Sequence, residues 1–210
     1  MHRFFIKTPW WVKQLFPAYV WHLPAKGKEV YLTFDDGPHP GITPWVLDEL
    51  RRFDAKATFF CVGSNVAKHP AVYNRILVEG HAVGNHTHTH CNGWKTDTTQ
   101  YLADVAAAAD YINSNLFRPP YGRIKKAQAA GIKTALKKES AKIILWDVLS
   151  ADFDQNLPPQ KCLRNVLKNT EAGSVIVFHD SEKAEKNLKY TLPKVLEELH
   201  NQGCHFAAID

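Results

Sequence analysis

Apolar residues in this chain come in short runs that stop abruptly at charged, glycine or proline residues. Between them lie longer stretches of helical periodicity. Residues 29–34 (EVYLTF) read as a strand, and 43–53 as a helix with Thr43 as N-cap and Pro44 in its first turn. The aromatic and β-branched run 56–62 (KATFFCV) is a second strand. Residues 64–79 carry one helix or two broken at Pro70 and ended by Gly80, and 81–86 (HAVGNH) is a third strand. An alanine-rich centre predicts a helix over 99–115, and 125–138 is helical despite Gly131. A buried strand over 141–148 (AKIILWDV), a helix over 159–168, a strand over 174–179 (SVIVFH) and a helix over 192–201 follow. The run 205–209 (HFAAI) closes the chain. Such alternation predicts a parallel α/β sheet with helices outside it. The number of units favours a closed or nearly closed barrel over an open doubly wound sheet. Either form gathers chemistry at the C-terminal ends of its strands.

Composition narrows this little. The 210 residues make one ordinary domain, and 45% hydrophobic with 22% charged residues is normal for a soluble globular chain. A formal net charge of +5 is a weak pull toward an anionic partner and more often serves solubility; nothing in the pattern suggests nucleic acid. Cys61, Cys91, Cys162 and Cys204 form no CxxC pair, so reduced thiols are expected, with neither a disulfide framework nor a cysteine zinc site. Residues 1–28 stand apart as an aromatic, basic arm before a body spanning 29–210. Prolines and lysines interrupt every apolar run of the arm, so no clear secretory signal is read. Cytoplasmic location is the expectation, envelope association the alternative. Trp10, Trp11, Phe16, Tyr19 and Trp21 either dip into a membrane interface or pack on the domain's own surface. The second is favoured, because prolines break any amphipathic helix.

Polar residues accumulate where strands end. Asp35 and Asp36 close the first in TFDDGP (33–38), where adjacent like charges need either solvent or a cation opposite them. The third strand runs into NHTHTH (85–90). His86 and His90 share a face in both extended and helical geometry, so they are better metal-ligand candidates than His88. Two imidazoles and a carboxylate suit a catalytic Zn²⁺ with an open position for water. Asp36 is then the third ligand, and Asp35 faces the water to take its proton. Taken singly, each motif also has a plain structural reading: Asp-Asp-Gly-Pro as a solvated turn, Arg118 in RPPY as a surface residue of a proline turn.

Together, TFDDGP, the HTHTH element, RPPY (118–121), the altered LSADF (149–153) and the altered VFH (177–179) resemble the five ordered motifs of NodB-type polysaccharide deacetylases, carbohydrate esterase family four. The resemblance covers residues 29 to 210. It implies a distorted (β/α)7 barrel in a single domain and a hydrolase removing N-acetyl groups from N-acetylglucosamine units of peptidoglycan or a chitin-like glycan. It implies Asp35 as general base and Asp36, His86 and His90 as ligands of a divalent ion, first Zn²⁺, with Co²⁺, Mn²⁺ or Ni²⁺ as substitutes. Arg118 would hold Asp35 charged and oriented, and the Tyr121 backbone N–H would bind an oxyanion. His179 would be the general acid, oriented by Asp152 in competition with nearby Asp154. Phe153, Trp94 and Pro120 are pocket candidates. Leu149, Phe153 and Val177 depart from the family motifs at expected pocket-wall positions. Asp147, His39, His88 and Asp180 are read as structural or rim residues. An acetyl ester hydrolase acting on a glycan such as acetylxylan, and a silent sugar- or metal-binding protein, are the rival readings. Retention of Asp35, Arg118 and His179 weighs against the second.

Overall fold

The structure, a computed structural model, describes residues 5–24 and 27–210. Its elements begin with α1 (Trp10–Leu15), β1 (Glu29–Asp35), α2 (Ile42–Arg51), β2 (Ala57–Cys61), α3 (Gly63–Lys68), α4 (Pro70–Val78) and β3 (Ala82–Asn85). Next come α5 (Thr98–Ala109), β4 (Leu116–Phe117), α6 (Lys126–Ala135), β5 (Lys142–Ile143) and β6 (Val148–Leu149). The chain finishes with α7 (Pro159–Asn169), β7 (Val175–His179), α8 (Glu185–Asn201) and β8 (His205–Phe206).

The strands pair in the order β5-β4-β3-β2-β1-β7-β6, with β8 added beside β1, and each of these pairings is parallel. Curled with its helices outside, this path is the expected distorted (β/α)7 barrel. Central β1 is buried from Val30 onward, and its alternation sorts the core. Val30, Leu32 and Phe34 face the helices, where Phe34 stacks between Phe59 and Phe178. Tyr31, Thr33 and Asp35 take the other face, the barrel interior, so the strand's pleat itself delivers Asp35 to the inside.

Several boundaries differ from the sequence reading. Thr43 does not cap α2. Helical geometry begins at Ile42, and the Thr43 hydroxyl accepts from His39 N and donates to the Asp180 carboxylate. The predicted strand over 141–148 splits into β5 and β6, because other partners take the backbone between them. Arg118 binds the Ile144 and Leu145 carbonyls, and Val20 and Thr8 bond to Ile143, Leu145 and Asp147. The helix expected over 99–115 ends at Ala109, leaving room for the short strand β4. Conversely α8 starts at Glu185 and runs through Pro193, since buried Leu188, Leu192, Val195, Leu196 and Leu199 hold it against the core.

The described part of the arm (residues 1–4 and 25–26 lie outside it) fills the seam between the edge strands. Lys7 bridges Val148, Val20 bridges Ile144 and His22 bridges Ser174. Lys7 and Lys13 reach the buried Asp147 carboxylate at 2.5 and 2.6 Å. Burial opposes that charge, but Lys13, Lys7 and the Ser174 hydroxyl outweigh it and hold the carboxyl below its ordinary range. Asp147 thereby anchors the arm to the barrel. Removing both lysines strands a buried charge, so Lys7→Ala with Lys13→Ala should lower unfolding free energy by about 3 kcal/mol or more in urea titrations. A loss below about 1 kcal/mol would show that the clamp does not hold the arm.

Candidate active site and metal centre

At the end of β1 the backbone turns sharply, and Asp36 takes a left-handed φ of 81°. The Asn65 amide fixes the Asp36 carbonyl at 2.8 Å. Gly37 follows because nothing larger fits: a Cβ there would lie 2.0 Å from Asp180 Oδ2. Gly37 N donates to Asp180 Oδ1 at 3.1 Å, and burial raises the Asp180 carboxyl to about 8. Asp180 thus ties the TFDDGP turn to α2 through Thr43, the structural role expected of it.

The histidine segment is shaped by its neighbours. Asn85 Oδ1 accepts from Thr87 N, and its amide donates to Val105 O in α5. The Asp104 carboxylate, also on α5, accepts from His88 N at 2.7 Å and from the backbone and hydroxyl of Thr89. His86 remains anchored to the sheet through Cys61 O. Its Nδ1 lies 2.7 Å from Arg118 O, and since a carbonyl only accepts, Nδ1 carries the proton and Nε2 keeps its lone pair. Burial pushes the His86 imidazolium down to about 4, so the ring is neutral near pH 7, as a ligand must be.

Asp36, His86 and His90 converge, each offering a donor atom within 4.8 Å of the others. His90 Nε2 lies 3.1 Å and His86 Nε2 3.8 Å from Asp36 Oδ1. That oxygen is buried, yet it accepts no well-directed hydrogen bond. Burial opposes the Asp36 charge, but the flanking His90, His179 and His86 hold its carboxyl well below the usual range. A charged carboxylate, a neutral buried imidazole and an orphaned acceptor fit a divalent cation. His88 is not in this cluster; it stacks on Tyr111 with centroids 5.8 Å apart.

Asp35 stands beside the cluster, with Oδ2 4.0 Å from His86 Nε2. Its Oδ1 receives Arg118 Nη1 at 2.7 Å. Arg118 is fully buried and also donates to Thr33 Oγ1, Ile144 O and Leu145 O, while its guanidinium lies 4.0 Å from the Phe60 ring centroid. Opposite, His179 Nδ1 meets Asp152 Oδ1 at 2.8 Å, and its backbone N donates to Asp152 Oδ2. Burial would lower the His179 imidazolium. The Asp152 charge and hydrogen bond, with Asp36 and Asp35, outweigh burial and raise it to about 9. Asp154 does not compete for the ring; its carboxylate accepts from Asn156 N.

The pocket candidates divide. Phe153 presents an edge to His179 at 5.1 Å, and Tyr121 one to His90 at 4.8 Å. Pro120 is buried in the turn before Tyr121, which is itself left-handed with φ 61°. Trp94 is exposed and carries Arg123 over its ring at 5.0 Å, so it is not core. Leu149 and Val177, expected on a pocket wall, instead belong to a core cluster with Ala151, Leu157 and Cys162, over which Phe153 packs. His39 serves its own loop, with Nδ1 accepting from Gly41 N and Ile42 N. Asn65, Asp104, Ser181, which reaches Asp36 Oδ2 at 3.3 Å, and Asn187, which binds the Asp152 carbonyl, escaped the sequence reading. Asp104 alone left a signal. It falls three residues after Tyr101 on the face of α5 that also buries Val105 and Ala108, where a charge needs partners.

The family model described as polysaccharide deacetylase matches residues 22–137. The chain is 35% identical over 205 residues to a peptidoglycan-N-acetylglucosamine deacetylase of Bacillus cereus, covering 94% of each. It is also 35% identical over 189 residues to peptidoglycan-N-acetylglucosamine deacetylase PgdA of Listeria monocytogenes, spanning 87% of this chain and 38% of that protein. Among solved structures, the Bc1960 peptidoglycan N-acetylglucosamine deacetylase in complex with 4-naphthalen-1-yl-N-oxidanyl-benzamide superposes with a TM-score of 0.83. That match has 33% identity and covers 96% of this chain and 95% of that one.

The Arg118–Asp35 pair sets a double-mutant test. Arg118→Met leaves Asp35 buried and unpaired and should cost about 3–5 kcal/mol of unfolding free energy. Adding Asp35→Asn should recover part of that loss, giving a coupling of about 1 kcal/mol or more. Additive effects in urea unfolding would contradict the pairing.

Proposed function

The chain belongs to the polysaccharide deacetylase family, and from that membership we propose that it removes N-acetyl groups from the N-acetylglucosamine units of peptidoglycan with a divalent ion held by Asp36, His86 and His90. One observation carries this reading. Three metal-type donors converge beside a carboxylate held by a buried arginine and an imidazole held by a buried carboxylate. The peptidoglycan assignment is supported by the relatives' names, and Zn²⁺ is the first choice of ion from the donor set.

When bound, such an ion supplies Lewis-acid polarisation of the acetyl carbonyl and a more acidic water. The chain's residues do the rest. Asp35 takes a proton from the attacking water through Oδ2, while Arg118 neutralises and aims its other oxygen. Asp152 holds His179 Nδ1–H, so the second ring nitrogen presents a proton to the departing nitrogen as the carbon–nitrogen bond breaks. Acetate and a free amine result. The left-handed turn at Tyr121, against His90, supports its backbone N–H as the oxyanion donor. Five of the seven described non-glycine residues with positive φ sit on these loops: Asp36, Thr87, His90, Tyr121 and Ala151. Backbone strain of that kind gathers where side chains must be aimed.

Acetate release from peptidoglycan glycan strands and from N-acetylated chitooligosaccharide is the deciding assay, with acetylated xylan as the control for ester cleavage. Chelator dialysis should abolish release and Zn²⁺ should restore it; full activity after verified metal removal would refute the ion. Asp35→Asn should keep the metal yet lose turnover by roughly a hundredfold or more. The proton donor gives a pH test. Because Asp152 raises the His179 imidazolium, Asp152→Asn should move the alkaline limb of kcat to lower pH, toward the ordinary histidine value of about 6.5. An unmoved limb would remove His179 from the acid role.

A further inference from the structure

Large apolar side chains left exposed are concentrated in one place. Of the ten among the described residues, Phe5, Trp10, Trp11, Leu15 and Phe16 lie within a single short stretch of the arm. Helix α1 buries none of its residues. This is not a loose tail. Ile6 O accepts from Leu149 N, Thr8 N donates to Asp147 O, and Val20 bonds on both sides to Ile143 and Leu145. Tyr19 and Trp21 pack on a core cluster, whereas Trp10 and Trp11 belong to no core cluster and half-exposed Phe16 only stacks on Tyr19. The fold therefore fixes an aromatic surface in place and leaves it uncovered.

Charge follows the same boundary. Residues 1–28 hold Arg3, Lys7, Lys13, Lys26 and Lys28 and no acidic residue. The remaining 21 lysines and arginines are matched by all 21 acidic residues, so the whole formal charge of +5 belongs to the arm. Among the described residues, Lys7 and Lys13 are paired within the fold, to Asp147 and Glu171. Exposed tryptophan and phenylalanine on a segment of net positive charge that carries no acidic residue of its own describe an interfacial membrane contact.

We propose that the arm is a docking surface for an anionic lipid bilayer, with Trp10, Trp11, Leu15 and Phe16 at the headgroup level. A second copy of the chain is the poorer occupant, because self-pairing sets like charge against like charge. The contact is peripheral: among the described residues no helix is long and apolar enough to cross a membrane. The contact does not depend on the activity proposed above.

The test is co-sedimentation of the full chain with vesicles of phosphatidylethanolamine and phosphatidylglycerol in equal parts, against phosphatidylcholine vesicles and no lipid. Binding to the anionic vesicles at least about tenfold above phosphatidylcholine is expected, with quenching of tryptophan fluorescence by brominated lipid. Trp10→Ser with Trp11→Ser should lower that binding at least about tenfold and leave the thermal melt and any acetate release from soluble oligosaccharide unchanged. Should the double variant not fold, Phe16→Ser alone should weaken binding. No sedimentation with anionic vesicles, or equal binding to phosphatidylcholine, overturns the proposal. So does a concentration-dependent dimer that the same substitutions abolish, which would assign the patch to a second copy.

Discussion

The Arg118 guanidinium is the constraint on which the barrel interior depends. It is fully buried, and four donated hydrogen bonds tie it to Thr33, Asp35, Ile144 and Leu145. A cation in that position is costly to desolvate, and burial lowers its proton affinity against the opposing pull of Asp35. It persists because almost every donor is used and its flat face rests on Phe60. One side chain thereby joins the central strand to the seam segment and fixes the Asp35 carboxylate. Its own carbonyl also sets the His86 ring, so base and ligand are aligned by a single residue.

Around that anchor, similar groups are driven to opposite ends of their range. His86 and His179 are both imidazoles at strand ends, yet the first meets a backbone carbonyl in a buried site and stays neutral near pH 7. The second meets the Asp152 carboxylate and stays charged. Asp36 and Asp180 divide likewise. Three histidines surround the first and hold it low, while burial pushes the Asp180 carboxyl up to about 8. Environment, not residue type, separates ligand from acid and working carboxylate from structural one.

Much of this was legible in the order of residues. Asp35, Asp36, His86 and His90 sit where their strand ends placed them, because a parallel sheet must end its strands at one rim and the apolar runs mark those ends. What escaped were groups acting through space. Asp104 lies on a helix whose alanines say nothing of the loop it braces. The break in the 141–148 strand needed knowledge that Arg118 and the arm would claim its carbonyls and amides. Leu149 and Val177 were expected at a pocket wall by motif position alone, and only packing shows them in the core beneath Phe153.

Seam closure by the arm bears on how the chain matures. Lys7 and the carboxylate it grips are 140 residues apart, and Val20 waits for Ile144. Emerging from a ribosome, the aromatic stretch must stay without its partners until a chain segment about 140 residues further on has been made. Contacts of that sequence separation form slowly, as do the β1–β7 and β1–β8 pairings, so the arm's zip is among the late fastenings. Its exposed rings are then the surface a chaperone would meet first.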